Sequence, residues 1–139
     1  MVSNADVRAA LQCIQRALRP GGILIFDIFD AAQIFKDFRK AAREVVRVGE
    51  KTITRDSTRS FNLKTGWTWN WNCVYTVKDG GPRRTYRDQT VLRAFTRDEM
   101  RLFLALAGFT MVHCRLRDAT FLVVAAQSRA SMNSDRLPR

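Results

Sequence analysis

The stretch that most constrains this chain is Pro20-Gly21-Gly22 followed at once by Ile23-Leu24-Ile25-Phe26, then Asp27, then Ile28-Phe29. Proline and two glycines end any preceding helix and turn the chain. The apolar run behind them is too short for a membrane span. It reads as a strand covered on both faces, the habit of parallel sheets. Ahead of it, residues Asn4 to Leu18 place Val7, Leu11, Ile14 and Leu18 on one helical stripe. Asn4 is the expected N-cap of that helix, and Asp6 in its first turn suits the helix dipole. Helix, glycine corner and buried strand together make part of an α/β layer.

The chemistry changes further along. A second helix is expected over Ala31 to Arg43, with Ile34, Phe35, Phe38 and Ala42 on one side. From Glu44 to Ala94 the chain is rich in Val, Thr, Arg and aromatics, with turn residues at Lys64-Thr65-Gly66 and Asp79-Gly80-Gly81-Pro82. Between those turns Trp67, Trp69, Trp71, Cys73, Tyr75 and Val77 alternate with polar and β-branched residues, the period of a strand with one apolar face. This region reads as an antiparallel meander of three or four strands. A third helix then starts at a well-marked boundary: Thr96 and Glu99 form a capping box, and Phe95 and Met100 are spaced for a hydrophobic staple. Gly108 suits the left-handed position that ends it. Phe109 to Leu116 and Ala119 to Ala126 read as a hairpin, and the polar tail 128–139 as disordered.

Composition limits the functions available. The chain has 139 residues, 24 Lys and Arg against 13 Asp and Glu, and a formal net charge of +11. The basic residues are spread along the chain beside acids, as in Arg55-Asp56 and Arg97-Asp98-Glu99, which describes a solvated surface better than a phosphate-binding track. Cys13, Cys73 and Cys114 lack the close pairing of a zinc site or disulfide framework and are expected to be buried, reduced thiols. His113 and Cys114 are strand neighbours pointing to opposite faces, so they make no nucleophile pair, and His113 is expected to be structural. No metal site is expected. The N-terminus, MVSNADVRAALQ, lacks the apolar core of a secretory signal, so the expected location is cytoplasmic, with no membrane partner.

Taken as a set, these residues resemble a known family. Leu18-Arg19-Pro20-Gly21-Gly22 plus ILIFDIFD is similar to the corner and strand five of class I S-adenosylmethionine-dependent methyltransferases. Arg93-Ala94-Phe95-Thr96 through Glu99-Met100, with Leu106-Ala107-Gly108-Phe109, resembles that family's last helix entering strand six. The resemblance covers residues 4–127 in order. It implies a partial Rossmann-like methyltransferase sheet (strands five to seven with flanking helices) carrying an antiparallel β insertion at about 44–94. Several small-molecule methyltransferases carry such an insertion over the substrate pocket.

One part of the family pattern has no counterpart. The seven glycines include no two separated by a single residue, so no G-x-G turn can be placed. No cofactor-binding residue is therefore assigned, and S-adenosylmethionine is expected from the family alone. In the family's strand order the run from Ile23 would lie between strands four and seven. Without strand four, one edge and much of its faces lose their cover and invite another chain. Self-association or a complementary N-terminal half is expected.

Site residues follow from the rule that ligands bind beyond the carboxyl ends of parallel strands. By resemblance, Asp27 and Phe29 border a pocket for a small-molecule acceptor; Asp27 is either a proton acceptor or a helix cap, and Asp30 a cap. Trp67, Trp69 and Trp71 either hold an apolar or cationic acceptor or form the core of the insertion. Tyr86 and Arg93 are further pocket candidates or surface residues. No catalytic residue is assigned. The expectation is a methyltransferase-family chain, inactive without its cofactor-binding half. The alternative is a basic α+β module whose Trp-rich strand stacks nucleic-acid bases while its arginines hold phosphates. A truncated or mis-started gene is a third.

Overall fold

The computed structural model describes residues 2–62 and 66–128. The elements run α1 (Asn4–Ala17), β1 (Ile23–Asp30), α2 (Ala31–Lys36), β2 (Ala41–Val48), β3 (Lys51–Asn62), β4 (Trp67–Lys78), β5 (Arg84–Phe95), α3 (Arg97–Leu106), β6 (Phe109–Arg117) and β7 (Thr120–Gln127). The strands form one sheet in the order β2-β3-β4-β5-β1-β7-β6. The anticipated meander is thus four strands, β2 to β5, inserted between two parts of an α/β layer. The expected Lys64-Thr65 turn and the tail from 129 lie outside the described residues.

The corner before β1 depends on its glycines. Gly21 has φ +78°, and a Cβ on Gly22 would sit 2.9 Å from the Arg19 carbonyl oxygen. From there β1 pairs antiparallel with β7 along nearly its whole length, from Ile23 opposite Ala126 to Phe29 opposite Thr120. Its other edge meets β5 in parallel only at the very end, at Phe29 with Ala94 and Asp30 with Phe95. Residues Ile23 to Ile28 of that edge have no strand beside them among the described residues.

The expectation that this strand is covered on both faces is corrected by half. Leu24, Phe26 and Ile28 face a core built from α1, α3 and the inward side of β6 and β7, with Leu104, Val123 and Ala125 fully enclosed. Ile23 and Ile25 alternate to the other side and are 60% and 64% exposed. The sequence specifies apolar residues for both faces, but among the described residues the second face is covered only at its end, where α2 packs by Phe29.

Other boundaries shift for local reasons. Ser3, not Asn4, caps α1: its hydroxyl accepts from the Asp6 amide at 3.1 Å while Asp6 accepts from the Ser3 amide, a reciprocal box. The second helix stops at Lys36 instead of reaching Arg43, because Ala41 onward pairs with β3. At α3, Thr96 accepts from the Glu99 amide at 3.1 Å as expected. The Glu99 carboxylate, however, leaves the cap and pairs with Arg93. Cys73 is buried, but Cys13 is exposed, because it lies off the apolar stripe of α1, and Cys114 is half-buried. His113 is exposed on β6 beside the β-bulge, and Cys114 packs toward the core.

Two measurable consequences follow. Arg93 is almost wholly enclosed and Glu99 is its acidic partner, so Glu99→Ala leaves a buried charge alone. It should cost about 3 kcal/mol, against about 1 kcal/mol for Thr96→Ala, which removes a cap; urea unfolding of the two variants checks the order. The Ser3 hydrogen bonds hold the Asp6 carboxyl below its ordinary value, and the hydrogen bond from Arg43 does the same for Asp56. For carboxyls lowered in the folded state, the stabilisation is complete above their unfolded values and is lost as pH falls through the folded ones. Urea midpoints should therefore hold steady above about pH 5 and fall below about pH 4, with a shallower fall in Asp6→Asn/Asp56→Asn.

Candidate functional site

Where the insertion meets the host sheet, aromatic rings collect. Phe29 and Trp69 stand edge to face with centroids 5.5 Å apart, joining the end of β1 to β4. The short helix α2 starts from an Asp30 cap, whose carboxylate accepts from the Gln33 amide at 3.1 Å. This confirms the cap reading of Asp30. The chain leaving α2 then lays Phe35 and Phe38 on the Trp face of the meander. Phe35 stacks on Phe61 at 4.3 Å and meets Trp67 edge-on at 5.1 Å, and Phe38 tilts over Phe61 at 3.7 Å. Trp69 is 3% exposed beneath this cover.

The cover is incomplete. A cleft of about 90 Å³ remains between Phe29, Ile34, Phe38, Trp69, Trp71 and Arg59. The period-two pattern of β4 places Trp69 and Trp71 on this side, and the β3–β4 register sets Arg59 directly opposite Trp71. The Arg59 guanidinium carbon lies 5.2 Å from the Trp71 ring centroid, and that of Arg55 lies 5.5 Å away. Arg55 is engaged by Glu44 at 2.6 Å, and hydrogen bonding to that carboxylate raises its pKa above the ordinary arginine value. The Trp71 indole Nε1 is buried without a hydrogen-bond partner among the described residues.

A second cleft lies on the uncovered side of β1. Asp27 is exposed there, paired in register with Leu122 and bordered by Ile25, Arg117, Asp118 and Thr120. The helices among the described residues are capped by Ser3, Asp30 and Thr96, not by Asp27. Alternation puts Asp27 and Phe29 on the same side of the strand, about 7 Å apart along it, so the two clefts flank the carboxyl end of β1.

The structure brings Asp27, Phe29 and Trp69 to this end of β1 and keeps the other two candidates away. Tyr86 is 53% exposed and pairs with Tyr75. It lies eight residues before the Ala94 junction, roughly 27 Å along the strand. Arg93 points to the face opposite Trp69, as its register with Thr68 requires. It binds Glu99 and the Val2 carbonyl (3.0 Å) and lies over Phe95 at 4.7 Å. Arg93 therefore clamps the end of the insertion to α3. Sequence reasoning missed Arg59, whose place depends on a cross-strand register that the sequence does not reveal.

No family model matches the sequence, and no curated protein does. Solved structures do. A methyltransferase from Clostridium acetobutylicum superposes with a TM-score of 0.76 at 12% identity, over 92% of this chain and 53% of that one. The fold is that of the class I S-adenosylmethionine-dependent methyltransferases. An amino pentose methyltransferase of Micromonospora echinaspora, solved with S-adenosylmethionine bound, matches at 0.65 and 23% identity over 89% of this chain and 51% of its own. DesVI of Streptomyces venezuelae matches at 0.69 and 20% over 88% and 51%. The chain spans about half the length of the structures it matches. In methyltransferase terms it is strands five to seven and their helices, with an antiparallel insertion after strand five.

Among the described residues, no helix is long and apolar enough to cross a membrane and no three His, Cys, Asp or Glu side chains converge on a metal position. Of the described glycines only Gly21 and Gly22 adjoin β1 in sequence, and they lie at its amino end. The carboxyl end, where Asp30 leads straight into α2, offers no glycine cradle.

The two tryptophans at the junction should separate cleanly by mutation. Trp69→Ala removes a buried ring and should cost about 3–5 kcal/mol. Trp67, 40% exposed, should cost less than half as much. Urea denaturation followed by far-UV circular dichroism reads both.

Proposed function

We infer that this chain carries the acceptor-binding half of an S-adenosylmethionine-dependent methyltransferase acting on a small molecule, and that the cofactor is held by a first half of the same fold. The observation that carries the reading is the bare side of β1. The strand is built as an interior strand, yet Ile23 and Ile25 face solvent and its edge is open from Ile23 to Ile28. A strand and helices packed there would bury that apolar surface and frame Asp27 from the other side. The matched structures extend to about twice this chain's coverage, which supports such a partner half, on the same polypeptide or on another.

In this reading the chain's own residues orient and enclose the acceptor. Phe29 and Trp69 form a rigid wall at the end of β1, and α2 roofs it. Methyl transfer is an in-line displacement whose protein contribution is chiefly orientation and exclusion of water. Asp27, in the cleft on the bare side of β1, would take a proton from an oxygen or nitrogen nucleophile. The matched structures include an amino pentose methyltransferase and a sugar N-methyltransferase, which supports a small molecule as the acceptor.

Isothermal titration provides the test. The chain alone should show no saturable binding of S-adenosylmethionine in the millimolar range. A chimera joining the preceding half of the Clostridium acetobutylicum methyltransferase to Asn4 should bind it. A chimera that folds but does not bind the cofactor, or tight binding by the chain alone, would refute the division of labour.

A further inference from the structure

The aromatic cleft at the junction carries an electrical signature that its shape does not. Its walls are Phe29, Ile34, Phe38 and Trp69, all uncharged, with Trp71 and Arg59 at one end. No carboxylate of the described residues lines it. The Arg55 and Arg59 guanidinium groups both lie within 5.5 Å of the Trp71 ring centroid. A ring in contact with two cations has its negative face already engaged, so a third cation entering beside it gains little cation–π attraction and meets repulsion.

The two arginines are not equivalent. Arg55 is neutralised by Glu44 at 2.6 Å. The ion pairs among the described residues employ Arg43, Arg55, Arg84, Arg93 and Arg101, and Arg59 is not one of them. Its backbone amide donates to the Lys40 carbonyl at 2.8 Å. Asp56, three residues before Arg59, is held by Arg43, and neither it nor Asp37 at the end of α2 is part of the cleft wall. On the same ring, Trp71 Nε1 is a buried donor without an acceptor. A guanidinium outside an ion pair gains most from a charge-assisted bond to an oxyanion.

A guanidinium outside every ion pair among the described residues and apolar walls sized for one ring converge on one ligand chemistry. We propose that this cleft selects a ring-bearing oxyanion, a carboxylate or similar group attached to a planar apolar body, and rejects a cationic amine of the same shape. The ring lies between Phe29, Phe38 and Trp69, and the anionic oxygens take the Arg59 guanidinium beside the Trp71 ring. The cleft's volume of about 90 Å³ is smaller than the about 150 Å³ apolar cavity that holds benzene, so one ring with part of it toward solvent is the limit. This names the acceptor class for the activity inferred above and takes its biological meaning from that reading, while the charge preference itself does not depend on methyl transfer.

The test uses the full chain labelled with 15N, reading the tryptophan indole N–H resonances and assigning that of Trp71 with Trp71→Phe. Benzoate, benzamide and benzylamine share one ring and differ in charge. Benzoate should shift the Trp71 indole N–H saturably. Benzamide should bind about tenfold more weakly, and benzylamine should give no saturable shift. Arg59→Gln should weaken benzoate by about tenfold and Arg59→Lys by less; the benzamide comparison needs no variant and stands even if Arg59→Gln fails to fold. Benzylamine binding as tightly as benzoate, equal binding of benzoate and benzamide, a benzoate shift that survives a folded Arg59→Gln, or silence at Trp71 with all three probes would each overturn the proposal. If benzoate binds as expected while the methyltransferase chimera fails to bind cofactor, the charge preference stands and the methyltransferase reading falls.

Discussion

One strand carries both parts of this molecule, and everything else is arranged by how its two edges are used. Along one edge β1 is zipped to β7 from Ile23 to Phe29, and this fixes the α/β layer and its core. At the other edge only Phe29 and Asp30 are paired, to the last residues of β5. The insertion is therefore hung from the carboxyl tip of the strand. That tip is also where ligands bind in open α/β sheets. The aromatic junction, the α2 roof and both clefts follow from this single attachment, because it brings Trp69 against Phe29 and forces the chain through a cap at Asp30.

Much of this was legible in the residues, and for identifiable reasons. The glycine corner demands a tight turn that few residues permit, so Pro20-Gly21-Gly22 placed the start of β1 correctly. The alternation from Trp67 to Val77 placed β4, because a pleated strand half-buried on one side leaves no other pattern. The Thr96 cap placed α3 to the residue. Other features depend on distant partners. Residues 37–43 have ordinary helical character, but pairing of Ala41 to Val48 with β3 overrides it. Glu99 was spaced for a capping box, yet a buried guanidinium is a stronger attraction for its carboxylate than a solvated backbone amide. Asp6, with no such competitor beside it, does close its box with Ser3.

The site was harder to read than the fold. Phe29 and Trp69 came together because each marks a strand whose place was inferable. Tyr86 and Arg93 did not, because parity along β5 sends Arg93 to the opposite face and length carries Tyr86 far down the ribbon. Arg59 could not be found at all from local pattern: in sequence it is one basic residue in a polar strand, and only its position opposite Trp71 gives it a role. The strand covered on one face shows the same limit from another side. A sequence states what surroundings a segment is made for, and not whether those surroundings lie within the same stretch of chain.

The clamp at Arg93 has an evolutionary corollary. It fastens the ribbon to α3 and to the Val2 carbonyl at its root, while β2 and the outer part of β5 stay largely in water. Substitutions out there alter the rim of the cleft without loosening the host layer. A lineage built on this plan is free to trade one recognition arm for another, keeping the chassis intact as its chemistry diversifies.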